Sequence, residues 1–325
     1  MRSKVSIGRA PGKLILTGEH FVVLGAPALS MAIDLHSTAC ARSNKLGRVD
    51  VNATVPLKLV DPKHTGTEGL LEPLRMAALT AMERAKPDRG MGVHVDVECD
   101  IPIGAGLGSS ASTSVAIIAA VAMAHGVRLQ KREIFNLAYK PETLIHTKPS
   151  GVDQATTTFG GIIQYTSPGD VDRVKVKVEP PILVCDTGVH RSTGRLVGGV
   201  VDRSKRQKGR YKENVQRVAE ITRSARRAFE KADFEELGLL MNRNQELLSE
   251  IGVSHPSLDR LIKAAREQGA LGAKLTGAGG GGCMIALCNG QSSKRRIAKG
   301  LSRLGGTIYN TRLEKYGVRI LQDSR

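Results

Sequence analysis

The sequence predicts an α+β chain of two domains, and three observations predict it. At 325 residues the chain is long enough to bury two separate cores. Its first half contains a strand, a glycine loop and a buried helix in direct succession. Its second half reads β–α–α–α–β–β–α–β after a break in composition at Ser167-Pro-Gly169, which sets expected domains at 1–170 and 171–325.

The strand–loop–helix unit organises the rest. Val93-His-Val-Asp-Val-Glu98 alternates apolar and polar residues, as a half-buried strand does. Val115 to Ala124 is apolar on nearly all sides and ends near Gly126, the pattern of a buried helix with a glycine past its C-terminus. Between them, Gly104, Gly106 and Gly108 remove the Cβ atoms that would hold a ligand off the backbone. Ser109, Ser110 and Ser112 then stand where the helix presents unpaired N–H groups and the positive end of its dipole, which suits a polyphosphate. The bland alternative makes the serines N-caps and the glycines a simple turn. No GK[ST] follows, so this is not a Walker A loop. Ser109 stands where the third Rossmann glycine belongs, so it is not that fingerprint either.

Composition narrows the class. Hydrophobic residues make up 41% and charged residues 24%, ordinary for a globular protein, while aromatics reach only 3% with no Trp, so the cores are expected from Ala, Val, Ile and Leu. Five cysteines without CxxC or Cys/His metal spacing point to reduced thiols and a cytoplasmic setting. Glu19 and His20 interrupt the first apolar segment, against a secretory signal, and no apolar run approaches the ~18 residues that span a bilayer. A net charge of +17 raises nucleic-acid binding as a class. The basic residues are spread out and lack interleaved aromatics, so the reading expects anionic small molecules and neither nucleic acid nor membrane.

In chain order, a short strand over 5–8 leads to Pro11-Gly12, read as a turn that leaves Lys13 just beyond a bend, with Glu19 and His20 where a strand gives way after Gly18. Residues 37–64 read as short strands, 71–86 as a helix, and 129–139 as another. Pro141 is read at the first position of a helix that places Glu142 and His146 on one face. Pro149-Ser-Gly151 turns the chain directly into Asp153, and Thr156 to Gly161 is read as leading on into a strand over 162–165. Surface decoration by Lys13, Glu19 and His20, an exposed Glu142/His146 pair and an Asx role for Asp153 are the alternatives. Gly277-Ala-Gly-Gly-Gly-Gly282 lies between two strands, and five glycines in six positions exceed what a hairpin needs. Close approach of backbone to a ligand is the expectation there.

Three motifs now stand in order: Pro11-Gly-Lys-Leu-Ile-Leu-Thr-Gly-Glu-His20, Pro102-Ile-Gly-Ala-Gly-Leu-Gly-Ser-Ser-Ala111 and Lys274-Leu-Thr-Gly-Ala-Gly-Gly-Gly-Gly-Cys283. Together they resemble the GHMP kinases. Gly18-Glu-His-Phe-Val-Val-Leu-Gly25, the Glu142 to Asp153 stretch and Asn244-Gln245 with Ile251-Gly-Val-Ser-His255 look most like the mevalonate kinase branch. The resemblance implies a ribosomal protein S5 domain 2-like N-terminal domain and a ferredoxin-like C-terminal domain. It implies ATP and Mg²⁺, with mevalonate as the acceptor, and a homodimer by likeness alone.

Residue by residue, the resemblance makes Asp153 the catalytic carboxylate and Lys13 the lysine beside the reacting hydroxyl. The loop from Pro102 through Gly104, Ala105, Gly106, Leu107, Gly108 and Ser109 to Ser110 and Ala111 would hold the ATP phosphates. Ser110 and Glu142 would bind Mg²⁺, which prefers few protein oxygens. Glu19, His20, His146 and Thr193 would line the acceptor pocket, where His20, His146 and Arg191 could supply the cation or donors a carboxylate needs. Gly277, Ala278 and Gly279 would approach the phosphates. Thr147 and Gln154 depart from the residues common at those places, and Pro141 directly before Glu142 is unusual. A phosphomevalonate kinase is the nearest alternative within the family, and a basic RNA-binding module on an S5-like domain the alternative outside it.

Overall fold

The computed structural model describes residues 5–54, 67–145, 149–189 and 193–321. The first part of the chain forms β1 (Val5–Thr17), a single 3₁₀ turn (Phe21–Leu24), β2 (Ala28–Asn44), β3 (Val49–Thr54), α1 (Thr67–Ala85), β4 (Gly92–Cys99), α2 (Ser109–Ala124), α3 (Lys131–Leu137), α4 (Tyr139–Ile145), α5 (Val152–Phe159), β5 (Ile162–Thr166) and β6 (Asp170–Arg173). There follow β7 (Ile182–Asp186), α6 (Thr193–Arg206), α7 (Lys208–Lys231), α8 (Phe234–Glu250), α9 (Pro256–Glu267), β8 (Gly272–Leu275), β9 (Cys283–Leu287), α10 (Gly290–Arg303), β10 (Thr307–Tyr309) and β11 (Arg319–Leu321).

Two sheets result. The first runs β11-β1-β2-β4-β3, with β5 pairing β2 beside β4 and β6 pairing β5. Only β3 and β4 are parallel in it. The second runs β10-β7-β9-β8, antiparallel throughout, the strand order of a ferredoxin-like unit. This is the α+β class that the sequence predicts.

Small side chains bring the layers close. α2 is buried along most of its length and packs with Ala10, Ala39, Ala41, Val93, Val95 and Val97 of the first sheet. A Cβ on Gly8 would overlap the Ala116 carbonyl, so helix and strand meet there at backbone distance. A second apolar cluster joins Leu14, Leu16 and Phe21 to Leu183, Val184, Met241 and Met284, and so ties the two sheets together beneath the glycine loops.

Several expectations are corrected. Pro11-Gly12 is a register shift inside one continuous strand, not a turn, so Lys13 is a strand residue. Residues 37–44 continue the long β2 instead of starting a new strand. Thr156, Thr157 and Thr158 belong to α5, where the Thr156 and Thr157 hydroxyls bond back to helix carbonyls. Pro141 is the third residue of α4, not the first; it is still in the first turn, where its missing N–H costs nothing. The helix α6 and the strand β11 have no counterpart in the sequence reading. α6 carries three glycines that depress helix propensity, and β11 is too short to show a period.

Candidate functional site

The glycine loop is held by the other two motifs before any ligand is considered. The Lys13 N–H donates to the Leu107 carbonyl at 2.9 Å, and the Cys283 N–H donates to the Ala105 carbonyl at 3.1 Å. Ala105 and Leu107 themselves are fully buried, so they anchor the loop while the glycines between them take its turns. Gly104, Gly106 and Gly108 all have positive φ, at 74°, 80° and 80°. A Cβ on Gly106 would stand 2.9 Å from the Thr276 carbonyl oxygen, and one on Gly108 2.7 Å from Lys13 Cγ.

Gly108 is the N-cap of α2 and no side chain caps the helix, so the serines are not there as caps. Ser112 Oγ donates to the Ala10 carbonyl at 2.8 Å, and Ser110 Oγ donates to Glu142 Oε1 at 2.5 Å. The first N–H groups of α2 are those a helix leaves unpaired, and they stand beside the loop with Ser109 as the first helical residue.

Lys13 and Asp153 meet next to this helix end. Lys13 Nζ lies 2.9 Å from Asp153 Oδ1; the lysine is 2% exposed and the aspartate 32%. Asp153 is the second residue of α5, whose N-cap is Gly151 with φ 89°. Tyr139 and Tyr165 fix that start: both hydroxyls donate to the Ser150 carbonyl, at 3.1 and 2.8 Å. Glu142 reaches the same place from α4. Burial raises its carboxyl to about 7, the Asp153 charge adds to the rise, and the Ser110 hydroxyl and Lys13 oppose it. Hydroxyl, two carboxylates and one ammonium therefore converge at the helix N-terminus. Such a set can hold a polyphosphate and a hard cation, and can take a proton from a nearby alcohol.

The third motif closes the other side. Lys274 donates to Glu19 Oε1 and, at 2.5 Å, to the Leu275 carbonyl. Asn244 Nδ2 donates to Glu19 Oε2 at 3.2 Å. Burial pushes the Glu19 carboxyl up and the Lys274 ammonium down, and their mutual attraction opposes both shifts. His20 Nε2 donates to the Ala278 carbonyl at 2.8 Å. Burial lowers the imidazole to about 4, with the Arg203 and Lys274 cations adding to the effect against the Ala278 bond, so His20 is neutral at physiological pH.

The run 277–282 answers to the protein's own backbone. All five glycines have positive φ. A Cβ on Gly279 would overlap the Val253 carbonyl, one on Gly281 the Val189 carbonyl, and one on Gly277 would stand 3.0 Å from Gly106 Cα. Close approach to the protein's own backbone accounts for Gly277, Gly279 and Gly281. The two glycine loops are seated on each other.

Of the residues singled out from sequence, Lys13, Asp153, Ser110, Glu142, Glu19 and His20 gather around the two glycine loops. His146 and Arg191 lie outside the described residues, and Thr193 opens α6 with its side chain outside them. Sequence reasoning passed over Tyr139, Tyr165 and the role of Lys274. The two tyrosines left no motif to find. Lys274 left a signal, a lysine in the otherwise apolar strand Gly272 to Leu275.

The chain matches the N-terminal domain of GHMP kinases over residues 74–161 and their C-terminal domain over 225–306. It is 37% identical to the mevalonate kinase of Pyrococcus abyssi over 341 aligned positions, covering 98% of both chains. The chain belongs to the mevalonate kinase family of GHMP kinases. The structure of L. major mevalonate kinase in complex with R-mevalonate superposes with a TM-score of 0.83 at 29% identity, over 97% of this chain and 98% of that one. The Methanococcus jannaschii mevalonate kinase gives 0.78 at 29% identity, over 95% and 98%. Family membership places the glycine loop, Glu142 and Asp153 within the N-terminal match, and Lys274 and the third glycine loop within the C-terminal one. No helix among the described residues is long and apolar enough to cross a membrane.

Proposed function

We infer that this chain is an ATP-dependent kinase that transfers the γ-phosphate of ATP to the C5 hydroxyl of mevalonate. The observation that carries the reading is the Lys13–Asp153 ion pair at 2.9 Å beside the N-terminus of α2, in a member of the mevalonate kinase family. Phosphoryl transfer asks mainly for positioning and charge neutralisation. Asp153 accepts the proton of the attacking hydroxyl, being the more exposed partner of the pair, and Lys13 steadies the charge that develops on that oxygen. The N–H groups of the Gly104–Ala111 loop and helix start receive the phosphates.

The donor set fits Mg²⁺. Among the described residues no group of three or more His, Cys, Asp or Glu side chains gathers into an all-protein cage. One hydroxyl and one carboxylate in contact, Ser110 and Glu142, match a cation that keeps water and phosphate oxygens as its other ligands. Bound there, Mg²⁺ would neutralise phosphate charge. Burial disfavours the charged form of Glu142, and a cation bound beside it would favour that form.

On the acceptor side, a neutral His20 whose Nε2–H is used by Ala278 offers Nδ1 as an acceptor for a substrate hydroxyl, so it is not the cation for a carboxylate. That role is left to Arg191, with His146 and Thr193 as further pocket residues. Glu19 acts through Lys274 instead of touching the acceptor. A division near 170, a cytoplasmic location and a homodimer complete the proposal; the two sheets support the first, except that β6 and the returning strand β11 belong to the first sheet, five free thiols support the second, and family likeness alone the last.

The test is ADP release from Mg-ATP with mevalonate, 5-phosphomevalonate, homoserine and galactose offered separately. Turnover confined to mevalonate is the expected result. Turnover confined to any other acceptor overturns the substrate, and silence with all of them overturns the kinase reading.

A further inference from the structure

The Glu19–Lys274 pair is one of the most deeply buried polar features of the chain, with Lys274 0% and Glu19 1% exposed. A buried ion pair is weak evidence for stability, because desolvation offsets most of the attraction and apolar residues of similar volume often do as well. What it can supply is a fixed arrangement of the groups around it. Glu19 sits between Gly18 and His20. The Gly18 N–H donates to Asn244 Oδ1 at 3.3 Å while Asn244 Nδ2 holds the second Glu19 oxygen, so α8 grips the turn through both backbone and side chain.

The turn so gripped contains a strained residue. His20 has φ 60° and ψ −44°, a combination outside the left-handed helical basin as well as the common ones. Such a conformation persists where the surroundings over-determine it. Its ring is tied to Ala278 on the third glycine loop, and Lys274 is the third of four residues in β8, the strand that leads to that loop. The same lysine thus fixes the turn that carries the imidazole and the strand that leads to the imidazole's partner. The other ring nitrogen, Nδ1, is buried and has no hydrogen-bond partner among the described residues. A buried acceptor left open in an otherwise satisfied network is a place for a donor from outside.

We propose that Lys274 is a positioning residue for the acceptor side of the site: paired with Glu19, it holds the Gly18–His20 turn and the His20 ring in the conformation that receives the acceptor alcohol. This rests on the kinase reading for the identity of the acceptor, but not for the geometry. The proposal separates the acceptor from the nucleotide, because the direct bonds of the pair among the described residues run to Asn244 and Leu275 and none runs to the start of α2.

The test uses the full chain with Lys274→Met, Glu19→Gln and the two combined. The single variants leave one charge buried without a partner and are expected to lose stability; the double variant removes both charges and keeps the shape. In the double variant the mevalonate KM is expected to rise at least about tenfold, the scale of one lost buried hydrogen bond, with the ATP KM within about twofold of wild type. Equal change in both constants, or in neither, overturns the proposal. The ring ¹⁵N resonances of His20 give a readout independent of turnover. Wild type should show the neutral Nε2–H form across pH 5.5–8, and the double variant a ring released from Ala278 that titrates nearer its ordinary range. An unchanged His20 signal in the double variant overturns the positioning role even if the mevalonate KM has moved. Wild-type turnover on a different acceptor would overturn the substrate assignment while leaving the ¹⁵N result to decide this one.

Discussion

Gly108 lies flat against the side chain of Lys13. A Cβ at that position would stand 2.7 Å from Lys13 Cγ and 3.1 Å from Lys13 Cε. The last glycine of the phosphate loop is therefore also the floor on which the lysine of the Lys13–Asp153 pair rests. Loop and ion pair are set by one contact.

Gly108→Ala should accordingly injure chemistry more than binding. The new methyl pushes Lys13 away from Asp153, and the φ of 80° adds strain. A displacement of this size is expected to lower kcat by about ten- to a hundredfold. Steady-state kinetics with a thermal melt checks it: loss of kcat without loss of fold is the expected pattern, and an unchanged kcat would show that Lys13 is not held there.

Asp153→Asn and Lys13→Met remove the proton acceptor and its partner. Each should lower kcat by roughly 10²–10⁴-fold, the usual scale for one general base or one charge stabiliser. Single-turnover measurement at saturating substrates isolates this step. Near-wild-type rates in both would remove the assignment.

Glu142 makes the metal-free protein sensitive to pH in a definite direction. Its carboxyl is raised from an ordinary 4.5 to about 7, so between those values the folded state holds a proton that the unfolded chain has lost. Stability from this group is present below about 4.5 and is lost as pH rises through about 7. In a chelator at pH 8, Glu142→Gln should be more stable than wild type by about 1–3 kcal/mol, and the gain should vanish near pH 4. Added Mg²⁺ should stabilise wild type more than the variant. Melts at the two pH values, with and without the ion, decide it.

His20 acts in the opposite direction. Its imidazole is lowered from 6.5 to about 4, so the unfolded chain binds the proton first as pH falls. Stability from this group is complete above 6.5 and is lost on descending toward about 4. His20→Asn should flatten the acid limb of the stability–pH curve between pH 6.5 and 4. The mevalonate KM of wild type should show no inflection from His20 between pH 6 and 8.

Gly279→Ala and Gly281→Ala test the seating of the third loop. Each Cβ would overlap a backbone carbonyl, of Val253 and Val189 respectively, and each φ is positive. Backbone cannot yield as a side-chain end can, so losses of more than about 2 kcal/mol are expected in denaturant unfolding. Variants as stable as wild type would mean the loop has room that these contacts deny.

The sequence by itself determined the elements whose cause is local or periodic. Alternation marked β4, an all-round apolar run marked α2, and the glycines between them marked a loop open to phosphate. The same glycines, with Lys13, Glu142 and Asp153 in ordered motifs, were enough to indicate the family and the chemistry. Only the tertiary structure decided what those residues do to one another. Pro11-Gly12 is a turn in most local contexts, and here the long pairing of β1 with β2 absorbs it as a register shift. The glycines of the third loop read as an opening for ligand, and only the fold shows that the protein's own backbone also lies against three of them, Gly106 against Gly277, Val253 against Gly279 and Val189 against Gly281. Glu19 reads as a pocket carboxylate from its motif, and only the fold adds that Lys274, distant in sequence, pairs with it. The reason is physical: propensity and period act over a few neighbouring residues, whereas backbone clearance, desolvation and the pairing of buried charges depend on which distant segments share the same space.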